Sequence, residues 1–428
     1  MEDFEKWLSS FFCLLSQLCF DKAKELLDRE KEIARPGLKP FFTQLTSFME
    51  AEKSYLNLGF LSSKNKMFLR KETSLKSLYE MIRNEVHRLE ENALNEAVDN
   101  SIATQFCQFL NARRDLIILY EQIYNSGVSS KHTKYEEIKN QVEICIEKYK
   151  CSFTNPTLLH IKNLFDWETD VLMNLLRAQI ALQHWDMVQS TIHLHTAHSI
   201  LNTWEKSLQS KEVQSDKKIG IIKKFLQTWK LGFLKGSQLP QLYQWLVKLK
   251  YAMVNKYTFY FYQTLSQQAA PQDTRNYLST RFNTDLILKF QNLQKKCFAT
   301  CVLLLFDPKG LPEWTGPGYH HPARPKETHD QHIIMNAHPY KMTEKLPIMT
   351  KILSERNASA MEPDKVVSFY DSQDKCSYFM CNIDPRVTLV VALEGKKEDR
   401  DSNLNIYMID FCTQARFTRI FASLKISK

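Results

Sequence analysis

Along the first 270 residues, apolar side chains recur at three- and four-residue steps, the spacing that lines one face of a helix. Phe4, Leu8, Phe11, Leu15 and Leu18 predict a first helix running to about Ala34, stopped near Pro36-Gly37. A second is expected over Pro40 to about Leu61, with Pro in its first turn and a stripe of Phe42, Leu45, Met49 and Leu56. Further helices are expected over Ser74–Leu94, over Ser101–Tyr124 with Asn125-Ser126-Gly127 as its C-cap, and over Lys134–Cys151. Asn155-Pro156 then reads as an N-cap followed by Pro at the first helical position. Leu164 to Trp204 is the expected centre of the bundle, with a break near His184-Trp185; Val188, Ile192 and Ile200 resume the stripe after it. A near-heptad series, Leu242, Leu246, Leu249, Met253, Tyr257, Tyr260 and Thr264, predicts a helix from Leu239 to about Gln267.

After a helix over Gln272–Ala299 the period changes to that of strands. Runs at Cys301–Phe306, Gln331–Met335, Lys365–Tyr370, Cys376–Asn382 and Arg386–Leu393 predict five strands, with a helix at Thr343–Glu355 between the second and third and a last helix at Ser402–Arg416. Short turns at Asp371–Asp374 and Asp384-Pro385 force antiparallel hairpins. Val387–Leu393 does not alternate, so both of its faces should be covered. The fold class is therefore α+β: a helical bundle over residues 1–271, then an α-β-β-α-β-β-β-α unit over 272–428 with a five-stranded antiparallel sheet. That order is the one of small roadblock and longin domains, an analogy at the level of fold that carries no catalysis with it.

At 428 residues and 43% apolar, the chain can bury two cores, and it has no apolar stretch long enough to span a membrane. The N-terminus begins Glu2-Asp3 and lacks the basic region of a signal peptide. Ten scattered cysteines without CxxC spacing read as reduced thiols, which places the protein in the cytosol. A net charge of +9 permits contact with anionic surfaces without requiring it. No RNP-type or zinc-finger motif is present, so nucleic acid is not an expected partner.

Three stretches invite a chemical reading. His195 and His198, three apart on a helix and close to His193, have a spacing that can hold a metal, but no HExxH or nearby cysteine completes a site, and packing histidines are the simpler reading. The loop Gly316-Pro317-Gly318-Tyr319-His320-His321-Pro322 follows the opening strand; with Asp307 it would suit a metal-dependent hydrolase, the alternative reading. No GxSxG, Walker or GxGxxG pattern supports catalysis there, so the loop is expected to pack against the bundle or a partner, with no metal, cofactor or catalytic residue in the chain. Lys217–Lys235 holds six lysines and no acid, with Ile222, Phe225, Leu226, Trp229 and Phe233 on one face. Lys223, Lys224, Phe225 and Trp229 would meet an anionic membrane or a partner groove, against the plainer reading of a bundle helix with a solvated basic face.

A series of short strings resembles the second-subunit family of the KICSTOR complex: Phe20–Lys24 (FDKAK), Ala51–Tyr55 (AEKSY), Asp170–Gln179 (DVLMNLLRAQ), Leu194–His198 (LHTAH) followed by Trp204, and Leu249-Lys250 followed by Phe259–Phe261 (FYF). Leu305–Asp307 (LFD), Gly318–Pro322 (GYHHP), Val366–Asp371 (VVSFYD), Arg400–Ser402 (RDS) and Phe421–Lys425 (FASLK) follow in order. Ser368 stands where the family pattern has His, and Lys206–Ser237 and the first dozen residues do not follow it, which implies a distant relative. The resemblance implies a non-enzymatic scaffold acting with other KICSTOR-like subunits, one of them a very large scaffold. It further implies a place on the cytosolic face of the lysosome, reached through the complex as a peripheral association. There the assembly recruits a GTPase-activating complex for Rag GTPases and restrains TOR complex 1 when amino acids or glucose are scarce.

Overall fold

The computed structural model describes residues 2–61, 74–92, 100–128, 134–209, 239–262, 265, 285–307, 310–311, 332–337, 348–349, 362, 364–397, 402–417 and 419–424. The expected boundary at 271/272, the loop Gly316–Pro322 and the basic segment Lys217–Lys235 lie outside them.

Among the described residues, nine α-helices form the first part: α1 (Glu2–Ser16), α2 (Phe20–Ile33), α3 (Lys39–Leu56), α4 (Leu75–Asn92), α5 (Asn100–Val128), α6 (Tyr135–Tyr149), α7 (Leu159–Gln183), α8 (Met187–Gln209) and α9 (Gln241–Tyr260). The second part runs α10 (Leu286–Cys297), β1 (Cys301–Phe306), β2 (His332–Asn336), β3 (Val367–Asp371), β4 (Cys376–Asp384), β5 (Val387–Glu394), α11 (Ser402–Arg416) and α12 (Arg419–Ala422). The expected helix at Thr343–Glu355 falls within the description only at 348–349, which are helical. The Asp285 side chain accepts from the Leu288 N–H and starts α10, so no continuous helix passes from Gln272 through this point.

The single first helix that periodicity predicts is two. Leu18 adopts φ 60°, Cys19 N–H bonds to Leu14 C=O and Leu18 N–H to Leu15 C=O, a Schellman stop built on leucine where glycine is usual. Packing of Leu18 against the helical core offsets the left-handed backbone. The same device ends α7 at Trp185, φ 64°, where the break was expected. On α8 the buried side is Met187, Ser190, Ala197, Leu201 and Trp204, while Val188 and Ile192 are half exposed. The correction has a steric cause: Ser190 Oγ donates to the Ala178 carbonyl at 2.5 Å, so small residues, not the β-branched ones, face α7.

Gly127 is no C-cap; α5 runs through it to Val128. A Cβ there would lie 2.4 Å from the Ala422 nitrogen and 2.7 Å from the Phe421 carbonyl carbon, so the missing side chain admits the backbone of α12. Phe421 and Leu424 thereby join the helical core, and Trp245 Nε1 donates to the Ile420 carbonyl at 3.0 Å.

The sheet has the order β2-β1-β5-β4-β3, each neighbour antiparallel. Alternate residues of β1, β4 and β5 enter two different cores. Val302, Leu304, Phe379, Cys381, Leu389 and Val391 face the layer holding α10, α11 and the end of α9, while Leu303, Leu305, Tyr378, Met380, Val390 and Ala392 face Met349. Both faces of β5 are therefore covered, which explains its unbroken apolar run.

Replacing Gly127 by valine should force α12 off α5. Despite the helix-propensity gain, a net loss of about 1–3 kcal/mol is expected in a urea titration, with faster amide exchange at 419–424.

Candidate functional site

Among the described residues, the structure gathers buried ions in two clusters that sequence reasoning passed over. On α5, Phe106, Phe109, Leu110, Leu116 and Tyr120 form an apolar stripe, and Arg113 falls in phase with it. Glu52 holds the same in-phase place on α3 and Glu168 on α7. In-phase position was the signal available: a charge inside an apolar stripe must find its counter-ion on another helix or be expelled.

Arg113 is 0% exposed. Its Nε and Nη2 donate to the two oxygens of Glu52 at 3.0 Å each, and Nη1 donates to Glu168 Oε2 at 2.7 Å. Tyr55 OH donates to Glu168 Oε1 at 2.5 Å and Tyr79 OH to Glu52 Oε1 at 2.8 Å, so each carboxylate oxygen has a donor. The guanidinium also lies between the rings of Tyr55 and Phe109, 4.4 and 4.8 Å from their centroids. Four helices, α3, α4, α5 and α7, are thereby tied at one point. Burial pushes the Glu168 carboxyl above the ordinary range against the pull of Arg113. Glu168 thus contributes most when protonated, and that contribution falls as pH rises from its unfolded value through the raised folded one. Burial and the neighbouring carboxylates hold the Tyr55 and Tyr79 phenols protonated, as donors.

The second cluster joins α9 to the sheet. β4 carries an extra residue: Asn382 pairs with Thr388 and Asp384 with Val387, leaving Ile383 unpaired. Val387 faces the bundle-side core, so the bulge turns its partner Asp384 to that side as well. There Lys256 Nζ lies 2.5 Å from Asp384 Oδ2, and Tyr260, one turn on along α9, donates to the same carboxylate. Arg416 at the end of α11 caps the bulge, donating to the carbonyls of Ile383 and Asn382 and pairing with Asp364. Burial lowers the Lys256 ammonium against the opposing pull of Asp384. Above the pair, Trp185 stands against Phe306 with ring centroids 4.1 Å apart and against Tyr260 at 5.7 Å.

Two of the three histidines on α8 have other occupations. His193 Nδ1 is 3.0 Å from Asn174 Oδ1; His198 contacts Asn202 Nδ2 at 3.2 Å and Lys250 Nζ at 3.3 Å. Burial, with Lys250 and His195, lowers the proton affinity of His198. Among the described residues no three His, Cys, Asp or Glu side chains gather to hold a metal. Asp307, the carboxylate of the hydrolase reading, follows β1, and its backbone exchanges hydrogen bonds with Arg386. Its proposed companions Gly316, Gly318, Tyr319, His320, His321 and Pro322 lie outside the described residues, as do Lys223, Lys224, Phe225 and Trp229. None of the ten cysteines forms a disulfide.

With this geometry in place, comparison with known proteins gives the lineage. Residues 4–428 match the family described as KICSTOR complex C12orf66 like. The protein called KICSTOR subunit 2 in Xenopus laevis is 29% identical over 436 residues, covering 98% of this chain and 96% of the relative. KICSTOR subunit 2 of Danio rerio is likewise 29% identical over 437 residues, covering 98% and 95%. The chain belongs to the KICSTOR complex C12orf66 like family.

The ion clusters make distinguishable predictions. Arg113→Met strands two buried carboxylates and should cost about 3–5 kcal/mol in chemical denaturation, whereas Glu168→Gln, which keeps an acceptor for Tyr55 but turns an amide N–H toward Arg113, should cost about 2–3 kcal/mol. At the seam, Lys256→Met alone should cost about 3 kcal/mol or more, and Lys256→Met with Asp384→Asn should recover much of it, a coupling read from the double-mutant cycle.

Proposed function

We propose that this chain is a non-catalytic scaffold or adaptor subunit of a KICSTOR-like complex. In this reading it works with the other subunits, including the very large scaffold, to bring a Rag GTPase-activating complex to the cytosolic face of the lysosome. It thereby restrains TOR complex 1 when amino acids or glucose are withdrawn. The observation that carries the proposal is the family match over residues 4–428, in which bundle and sheet are inherited together. The buried ions are consistent with it: their charges are spent on holding helices to one another and to the sheet.

The sheet unit supports a roadblock or longin-like assignment through one antiparallel sheet with α10 and α11 on one face and helical residues 348–349 against the other. Such a platform suits docking. No helix among the described residues is long and apolar enough to cross a membrane, so the proposed lysosomal placement runs through the complex or through a surface contact such as Lys217–Lys235.

Affinity purification of the tagged chain from nutrient-starved cells tests the proposal. Recovery of the other KICSTOR-type subunits and of the GTPase-activating complex is expected; their absence under conditions that preserve large assemblies would count against it.

A further inference from the structure

Six apolar side chains among the described residues sit on left-handed backbone: Leu18, Leu58, Phe153, Trp185, Phe298 and Phe417. Residues of this bulk adopt positive φ only at a cost. In five of them packing offsets it. Leu58 and Phe153 are buried, Leu18 packs against the helical core, and Trp185 and Phe417 pack against the core of the sheet. Phe298 is the exception, at φ 51° and 92% exposed. It follows α10 at the position where a helix usually places glycine, so a large aromatic ring stands in water on backbone that does not favour it.

Its surroundings are specific. α10 and α11 lie side by side in opposite directions, since Lys289 Nζ bonds to Gln414 near one end and Lys296 stands 5.7 Å over the Tyr407 ring near the other. That pairing brings Ile406, 60% exposed, and Tyr407, 40% exposed, to the Phe298 end. α10 carries Lys289, Lys295 and Lys296 and no acidic residue, while on α11 Asp410 is occupied by Arg419 at 2.9 Å. Among the described residues at this end, Lys295 and Lys296 stand beside the exposed apolar side chains.

We infer that Phe298, with Ile406 and Tyr407, anchors a partner protein that offers an apolar pocket rimmed by carboxylates. The inference rests on the reading of the chain as a subunit of a larger assembly. A buried aromatic ringed by complementary charge is the form that a protein hot spot takes. Three side chains are too little apolar area to hold a lipid surface alone.

Phe298→Gly tests this in the full-length chain. Glycine relieves the left-handed backbone, so the thermal midpoint of the purified chain should hold or rise while recovery of one other subunit from cells falls about tenfold or more. Lys295→Glu with Lys296→Glu should weaken the same recovery. A benzophenone amino acid at position 298 should cross-link to an apolar segment bearing Asp or Glu on that subunit. If Phe298→Gly lowers the midpoint by several degrees, the ring is structural and the inference fails. It fails too if recovery stays within about twofold of wild type while wild type brings down the assembly, which leaves the subunit reading intact. Wild type recovering no other subunit would remove both. Cross-links to lipid, or to a second copy of this chain, would show the occupant to be wrong.

Discussion

A guanidinium cannot lose its proton in a protein core, and this one sets the terms for the bundle around it. Arg113 is buried, so the helices that supply Glu52, Tyr55, Tyr79 and Glu168 must all arrive in register or leave a charge stranded in hydrocarbon. An apolar core tolerates sliding by a turn; an ion cluster of this kind does not, because a shift of one residue removes a donor from a carboxylate that water cannot reach. The cluster is better understood as a device for specificity than as a source of net stability. Burial raises the Glu168 carboxyl even with Arg113 beside it, while Glu52 and Glu168 hold Arg113 more firmly protonated against its own burial, so desolvation and attraction oppose one another across the cluster.

The same logic is used once more where α9 meets the sheet. Here the sheet itself is modified: an extra residue in β4 turns Asp384 toward Lys256 and Tyr260, and Arg416 satisfies the carbonyls that the bulge frees. Hydrophobic contact brings the parts together through Trp185, Phe306 and Phe259–Phe261, but contact of that kind has no unique register. The ion pair supplies one. From the other end of the chain, α12 reaches back past Gly127 to Trp245 and Tyr135, so two separate attachments fix the sheet on the bundle. A chain held this way presents its outer surfaces, Phe298 among them, in a fixed relation.

Much of this architecture was legible in the residues because it rests on period and on local turn chemistry. The five strands, the cap at Asn155, the break at Trp185 and the stripe of Leu404, Met408, Phe411 and Ala415 on α11 follow from spacing alone. What spacing misjudged depends on tertiary contact. Leu18 reads as one more helical leucine until the core that accepts its left-handed conformation is known, and Gly127 reads as a cap until α12 is seen lying against it. Val188 and Ile192 outrank Ser190 and Ala197 on hydrophobicity, yet close approach of α7 favours the small residues. The ion clusters were within reach: Arg113, Glu52, Glu168 and Lys256 each interrupt an apolar stripe in phase, and weighing those interruptions together would have pointed to the pairs. The histidine loop and the basic segment are conspicuous in residue type, whereas the chemistry among the described residues belongs to charges hidden within ordinary helices.

Buried ion pairs make bundle and sheet one cooperative body, and native-state hydrogen exchange measures that coupling. Amides of α9 and of the central strands β4 and β5 should share one opening free energy in the wild-type chain. Lys256→Met should leave the sheet opening before the bundle. A sheet that already opens several kcal/mol before α9 in the wild type, with no change on replacing Lys256, would show that the ion pair does not join them.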